Sequence, residues 1–89
     1  MRYKIEITQE AQKHFEFHKS AGNSIITKKI YVLLTALTEH PFRGVGKPEP
    51  LKYNLSGLWS RRINKEHRLV YQVKQETVII YSAFGHYLL

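Results

Sequence analysis

Residues 46–73 read GKPEPLKYNLSGLWSRRINKEHRLVYQV, and this stretch decides the fold class. The runs 51–53, 58–63 and 68–73 each carry aromatic or β-branched residues, and a fourth run of this kind follows at 77–83. The turns NLSG, NKEH and KQE between them have lengths that suit hairpins. The pattern therefore predicts four consecutive strands paired as an antiparallel meander.

The N-terminal half predicts one strand followed by two helices. In RYKIEIT, residues 2–8, apolar side chains alternate with charged ones, as in a half-buried strand. Thr8 is placed to cap a first helix, and Ser24 is placed to cap a second helix that ends near His40. The predicted core-facing stripes comprise Ala11, Phe15 and His18 in the first helix and Ile26, Ile30, Leu33, Leu34 and Leu37 in the second.

The elements run in the order β-α-α-β-β-β-β, which is an α+β arrangement. We expect a small, twisted, mainly antiparallel sheet packed against a two-helix hairpin. The chain has 89 residues and contains no internal repeat or low-complexity linker. The sequence therefore predicts a single domain over residues 1–89.

The chain is basic, and most of the excess charge lies in its middle. Fourteen Lys and Arg oppose seven Asp and Glu, for a net charge of +7. Residues 43–74 hold eight of these cations and two of the acids. Such a basic stretch is typical of a surface that binds a polyanion, because neutralising phosphates releases condensed counterions. A solvated surface on a basic protein is an equally good interpretation of the charge alone.

Several classes of site are excluded or disfavoured by composition. The chain has no cysteine, which excludes disulfides, thiolate metal sites and a cysteine nucleophile. No apolar run reaches the length of a signal peptide or a membrane span, so we expect a cytoplasmic protein without membrane association. His14 and His18 have the i, i+4 spacing of metal ligands, but no third ligand is evident. We predict a partly exposed helix face there, and no metal or other cofactor.

Two adjacent arginines in the run 58–63 point to opposite faces of their strand. Arg61 shares a face with Trp59, whereas Arg62 lies on the other face. One of the two must therefore lie near an apolar layer, where a charge needs an anion. That anion is either a carboxylate such as Glu66 or Glu76, in a structural salt bridge, or the phosphate of a ligand.

An acid and a histidine stand out as candidates for chemistry. Glu49 is isolated in KPEP, and His86 follows the last predicted strand in GHY. Histidine titrates nearest to neutral pH, which suits it to general acid or base catalysis, although an inert surface histidine is the alternative. A carboxylate, an imidazole, a phenol and guanidinium groups together could cleave RNA through its 2′-hydroxyl. A base removes the hydroxyl proton, an acid protonates the leaving 5′-oxygen, and cations stabilise the phosphorane-like charge.

The stretch 41–73 and the pair His86-Tyr87 resemble the YoeB (Txe/YoeB) toxins, within the RelE/ParE superfamily of toxin-antitoxin modules. The resemblance implies the toxin of a type II toxin-antitoxin system. It further implies a metal-independent, ribosome-dependent endonuclease, or mRNA interferase, that cleaves messenger RNA in the ribosomal A site. The implied partners are a YefM-like antitoxin, the ribosome with its mRNA, and a second toxin copy in a homodimer.

The resemblance also implies roles for individual residues. It implies Glu49 as the general base toward the 2′-hydroxyl, His86 as the general acid, Arg68 as the cation that stabilises the transition state, and Tyr87 as a positioning group. The acid and base roles of Glu49 and His86 could also be reversed. The implied phosphate-binding residues are Lys47, Lys52, Arg61 and Arg62.

Two other functions stay open at this point. A ParE-like toxin would bind and inhibit gyrase with the same fold and without nuclease chemistry. A plain basic RNA-binding domain would bind RNA in a salt-sensitive manner and release no product with a 2′,3′-cyclic phosphate.

Overall fold

A computed structural model describes residues 2–86 and has the predicted α+β architecture. In that range the elements are β1 (Lys4–Ile7), α1 (Gln9–Ser20), α2 (Ser24–Leu37), β2 (Glu49–Pro50), β3 (Trp59–Arg62), β4 (Arg68–Lys74) and β5 (Thr77–Ser82). The strands form one sheet in the order β1-β5-β4-β3-β2. β1 pairs with β5 in parallel and the remaining pairs are antiparallel, which confirms the mainly antiparallel sheet. Within the same range, neither helix is long and apolar enough to cross a membrane.

Each helix begins at a side-chain cap. The Thr8 hydroxyl accepts a hydrogen bond from the Ala11 N–H at 3.2 Å, as the sequence predicts for α1. At α2 the predicted cap is wrong, because the Asn23 side chain accepts from the Ile26 N–H at 3.1 Å and Ser24 is already the first helical residue. Asparagine and serine are equally good caps, so the preceding turn decides which of them is used.

The core lies between the two helices and the sheet face that they cover. Both predicted helical stripes face it, although Phe15 and Leu34 are only half-buried. The buried cluster consists of Ala11, Ile26, Ile30, Leu33, Leu37, Ile63, Leu69, Tyr71, Val78, Ile80 and Ala83. Because Leu69 and Tyr71 of β4 face this core, the intervening and flanking residues of β4 face the opposite side of the sheet.

The predicted strand at 51–53 is wrong. The strand that pairs with β3 is β2, which ends one residue earlier, at Pro50. Tyr53 adopts a left-handed φ of 59° and begins a 3-10 turn, so an extended strand cannot pass through it. The Leu51 N–H donates to the Leu58 carbonyl at 2.9 Å, which closes the intervening loop.

Arg61 is completely buried and fixes the loop that leads into β2. Its guanidinium donates to the carbonyl oxygens of Val45 at 3.0 Å, of Arg43 at 2.9 Å and of His40. The expectation that an arginine lies against the apolar layer is confirmed, but the expected salt bridge is wrong. Three carbonyl dipoles of one loop satisfy the cation, and no carboxylate within residues 2–86 pairs with it.

Tyr71 extends this hydrogen-bond network into the core. Its hydroxyl accepts from Arg61 Nε at 3.1 Å and donates to the Pro41 carbonyl at 2.7 Å. Burial raises the pKa of Tyr71 above its ordinary value, with the Arg61 hydrogen bond opposing the shift, so the hydroxyl keeps its proton near neutral pH. The loop from His40 to Val45 is therefore held by two side chains from adjacent strands.

Gly46 brings the end of this loop against α2. It has a left-handed φ of 87°, and an added Cβ would lie 2.8 Å from Leu33 Cδ2. Its carbonyl accepts from the Arg62 N–H at 2.7 Å, just before the chain enters β2. The position of Glu49 three residues later therefore depends on this close approach of backbone to core.

Candidate active site

On the sheet face opposite the helices, the neighbouring strands β2, β3 and β4 carry Glu49, Arg62 and Arg68. The register pairs Glu49 with Ser60 and Ser60 with Val70, and two residues further along it pairs Arg62 with Arg68. Residues paired across strands, and residues two apart within a strand, point to the same face. Glu49, Arg62 and Arg68 therefore project together, with Glu49 and Arg62 exposed and Arg68 half-exposed.

Arg62 lies between the other two side chains across this face. From ordinary strand spacings, the Cα atoms of Glu49 and Arg62 are about 8 Å apart, and those of Glu49 and Arg68 about 12 Å. Among the described residues, no carboxylate forms an ion pair with either arginine. The face thus offers two guanidinium groups on neighbouring strands and a carboxylate at its edge, a separation that an extended nucleic-acid segment can bridge.

Arg68 is held at the start of β4 by two hydrogen bonds. Its backbone N–H donates to the Gly85 carbonyl at 2.9 Å, and its Nη1 donates to the Asn64 carbonyl at 3.1 Å. The Asn64 side chain also folds the β3–β4 turn, because its Oδ1 accepts from the N–H groups of Glu66 and His67 at 2.8 Å each. The guanidinium is therefore placed by a locally rigid turn.

His86 lies beside the same turn. The Lys65 carbonyl can only accept, so His86 Nε2 donates the 3.0 Å hydrogen bond between them. Gly85, its neighbour in the chain, is the residue that receives the Arg68 N–H. The structure thus brings the backbones of His86 and Arg68 close to each other, whereas Glu49 lies two strands away on the sheet face. Tyr87 is outside the described residues.

The predicted phosphate contacts divide into three accessible residues and one inaccessible one. Lys47, Lys52 and Arg62 are exposed. Arg61 has no exposed surface, and its N–H groups donate hydrogen bonds to the loop carbonyls and to a tyrosine. Its assignment as an RNA contact is therefore wrong. Strand alternation had left open which of the two adjacent arginines faces inward.

Three histidines surround the segment that precedes His86, a feature that the sequence did not predict. The Ala83 N–H donates to His14 Nδ1 at 3.0 Å, and the Gly85 N–H donates to His67 Nδ1 at 2.8 Å. His18 Nε2 lies 2.9 Å from the Ala83 carbonyl and donates to it. His18 is 2% exposed, which agrees with its place in the predicted core-facing stripe and makes the predicted partly exposed face wrong at this position.

The ring of Phe84 lies among these imidazoles. Its centroid is 5.9 Å from that of His14, 5.8 Å from that of His18 and 4.9 Å from that of His67. Burial, His18 and His86 lower the pKa of His67, against an opposing effect of Glu66. Within residues 2–86, no group of three or more His, Asp or Glu side chains is arranged to hold a metal ion.

Comparison with known proteins gives a consistent family assignment. The model of a family described as YoeB-like toxin of bacterial type II toxin-antitoxin system matches residues 7–87. A curated protein named Toxin YoeB, from Synechocystis sp., is 55% identical over 62 residues, which cover 70% of this chain and 72% of that protein.

Solved structures agree in fold over nearly the whole chain. A structure of the YoeB dimer from Staphylococcus aureus superposes with a TM-score of 0.86 at 39% identity, covering 98% of this chain and 100% of that one. A YoeB-YefM complex from the same organism gives a TM-score of 0.84 at 40% identity, with the same coverage of both chains.

Proposed function

This chain belongs to the YoeB-like toxins of bacterial type II toxin-antitoxin systems, and from that premise we propose that it is a ribosome-dependent endonuclease that cleaves messenger RNA in the ribosomal A site. The reaction is attack of the ribose 2′-hydroxyl on the adjacent phosphate. It leaves a 2′,3′-cyclic phosphate on one product and a 5′-hydroxyl on the other, and it needs no metal ion.

The observation that supports this proposal is that the backbone hydrogen bond from Arg68 to Gly85 places His86 and Arg68 beside the same turn. Both are tied to Gly85 through the backbone, and Arg62 extends the cationic surface toward Glu49. An imidazole and a guanidinium that forms no ion pair with any carboxylate of residues 2–86 suit a phosphate whose charge grows during the reaction.

The roles follow from where charge and protons must go. Arg68 stabilises the additional negative charge on the phosphate in the transition state. Glu49 takes the 2′-hydroxyl proton and His86 delivers a proton to the leaving 5′-oxygen, or the two exchange these roles. Tyr87 positions the phosphate beside His86. Free protein holds Glu49 about 12 Å from Arg68 at the Cα atoms, so the RNA occupies the space between them.

Substrate binding uses the exposed cations around this face. Lys47 and Lys52 flank β2, and Arg62 lies between Glu49 and Arg68. These three side chains bind phosphates on either side of the cleaved bond, and loss of one contact reduces the salt dependence of binding by about one counterion.

The proposed partners follow from the structures of related toxins. The YoeB-YefM complex from Staphylococcus aureus supports a YefM-like antitoxin as the inhibitor, and the YoeB dimer supports a toxin homodimer. The site of action is the cytoplasm, where the translating ribosome presents the message.

The test is translation-dependent cleavage of a defined mRNA, measured in the presence of EDTA. We expect cleavage by the wild type and a fall of about 10²-fold or more for His86→Ala and for Arg68→Ala, because each removes a group that acts in the transition state. Glu49→Gln keeps the shape and removes the base, and it should fall comparably. Arg2→Ala is the matched control, since Arg2 is an exposed arginine beside the opposite edge strand.

Undiminished cleavage in both His86→Ala and Arg68→Ala would reject the proposed site. Inhibition of gyrase supercoiling without any RNA cleavage would replace the proposal with a ParE-like function. Binding of RNA without a 2′,3′-cyclic phosphate product would leave only an RNA-binding domain.

A further inference from the structure

The backbone that precedes His86 is held by imidazoles at three of its polar groups. Over residues 83–85, two N–H groups donate to histidine nitrogens, one carbonyl accepts from a histidine and another accepts from the Arg68 N–H. The three histidines come from α1 and the β3–β4 turn, so the segment is clamped between two separate elements.

The protonation state of two of these rings follows from the chemistry of their partners. A backbone N–H can only donate, so the Nδ1 atoms of His14 and His67 must be unprotonated acceptors. The His14 proton then lies on Nε2, which donates to Glu10 at 3.1 Å. A proton on either Nδ1 would place two donors against each other and remove the hydrogen bond. His18 differs, because its Nε2 donates in both the neutral and the charged form.

From this geometry we propose that His14, His18 and His67 are positioning residues for His86. Their neutral rings hold residues 83–85, and protonation of His14 and His67 releases the backbone that carries His86. The proposal rests on the proposed function in so far as His86 takes part in cleavage. The clamp itself is a property of the free protein.

The surroundings of each ring determine how the clamp responds to acid. His67 faces His18 on α1, Glu66 in its own turn and His86 after the last strand. Burial and the two neighbouring imidazoles lower the pKa of His67, so the neutral form is favoured in the folded chain. His14 faces Glu10 on its own helix and the ring of Phe84. The hydrogen bond from Gly85 to His67 therefore persists at neutral pH and is lost only as the pH falls through the lowered pKa of His67.

The direct test is amide hydrogen exchange of the full chain, without RNA, from about pH 8 to about pH 5. Exchange at Gly85 and Ala83 reports the clamp, and amides of β5 report global unfolding as an internal reference. In the wild type we expect Gly85 protection, relative to an unstructured amide at the same pH, to fall about tenfold or more when the hydrogen bond is lost.

Two substitutions at His67 separate the presence of a hydrogen-bond acceptor for the Gly85 N–H from the protonation of that acceptor. His67→Asn keeps an oxygen at the place of Nδ1 that does not titrate, so Gly85 protection should become independent of pH over this range. His67→Leu removes the acceptor and should lower the protection at every pH. His40→Asn is the matched control, because the His40 side chain is exposed and outside the clamp. Gly85 protection in this variant should depend on pH as it does in the wild type.

The link to chemistry is tested by single-turnover cleavage on preassembled ribosome-mRNA complexes at about pH 8 and at about pH 5, the two ends of the exchange range. The ratio of the His67→Asn rate to the wild-type rate should rise several-fold as the pH falls. Constant Gly85 protection in the wild type, or equal losses in the wild type and His67→Asn, would overturn the clamp.

If the exchange data are as expected but the ratio of the His67→Asn rate to the wild-type rate does not change with pH, the positioning role of the clamp would be overturned. Failure of the wild type to cleave at any pH would reject the proposed function instead. The exchange measurements would still decide the clamp.

Discussion

Arg61→Met should destabilise the fold strongly, whereas the same change at the neighbouring Arg62 should not. Methionine keeps the aliphatic part of the buried side chain but leaves three loop carbonyls and the Tyr71 hydroxyl without their donor. Hydrogen bonds to charged groups contribute about 1.5–3 kcal/mol each. Water can reach part of the loop, so we expect a total loss of about 3–5 kcal/mol, near the value for breaking a buried charged pair.

That loss is large for a chain of this size. At about 0.05–0.15 kcal/mol per residue, the whole domain has a free energy of unfolding of roughly 4–13 kcal/mol. Urea unfolding at a fixed protein concentration measures the change, and the midpoint should fall by about 2–4 M. Arg62 is exposed, so Arg62→Met should change the free energy of unfolding by less than about 0.5 kcal/mol.

RNA binding should distinguish the same two variants in a different way from stability. Arg62→Met should weaken RNA binding at full stability, because it removes an accessible cation. Tyr71→Phe should cost about 1–2 kcal/mol on its own, and should couple to Arg61→Met in a double-mutant cycle, since the two side chains share a hydrogen bond. Equal stability of Arg61→Met and Arg62→Met, or a loss below about 1 kcal/mol at Arg61, would refute the network described above.

Three further changes test other parts of the structure. Gly46→Ala should cost about 2–4 kcal/mol in urea unfolding, because it combines a left-handed φ with a clash at 2.8 Å, whereas Gly57→Ala meets nothing within 4 Å and should show the backbone strain alone. Asn23→Ala should lower the thermal midpoint through the loss of about 1 kcal/mol of capping, and Ser24→Ala should leave it nearly unchanged. The lowered pKa of His67 means that the unfolded chain binds more protons at this residue, so its contribution to stability should be full above about pH 6.5 and should be lost as the pH falls through the lowered pKa. His67→Asn should flatten that part of the stability-pH curve measured by urea unfolding.

Local patterns in the sequence were sufficient for most of the fold. The alternation in RYKIEIT, the helical stripe through Ile30 and Leu33, and the short turns between strands all act over a few residues, and each predicted the correct element. The predicted strand at 51–53 was wrong because Tyr53 adopts a left-handed backbone conformation, which an aromatic residue type does not indicate. The parallel pairing of β1 with β5 joins the two ends of the described chain and has no local signal.

The site was predictable only in part, for a related reason. The family motifs named Glu49, Arg68 and His86, and the register supports a common face for Glu49 and Arg68. The burial of Arg61 could not be foreseen, because its partners are carbonyl oxygens and every residue has one. The helical stripe placed His18 toward the core, but it could not indicate its acceptor, the carbonyl of Ala83, 65 residues along the chain. Because every residue carries a backbone carbonyl, the residue types do not indicate which carbonyl a buried side chain binds.

The place of β5 in the sheet has a consequence for the order in which the toxin becomes active during its own synthesis. β5 is made last of the strands, yet it lies between β1 and β4, and it pairs Thr77 with Lys4. Until it leaves the ribosome, the nascent chain lacks the strand that joins β1 to β4, and the core side chains of Val78 and Ile80. Contacts this distant in sequence also form slowly. A nascent chain that has not yet exposed β5 therefore cannot complete this sheet, and the proposed site, which includes His86 just after β5, cannot form before that strand pairs.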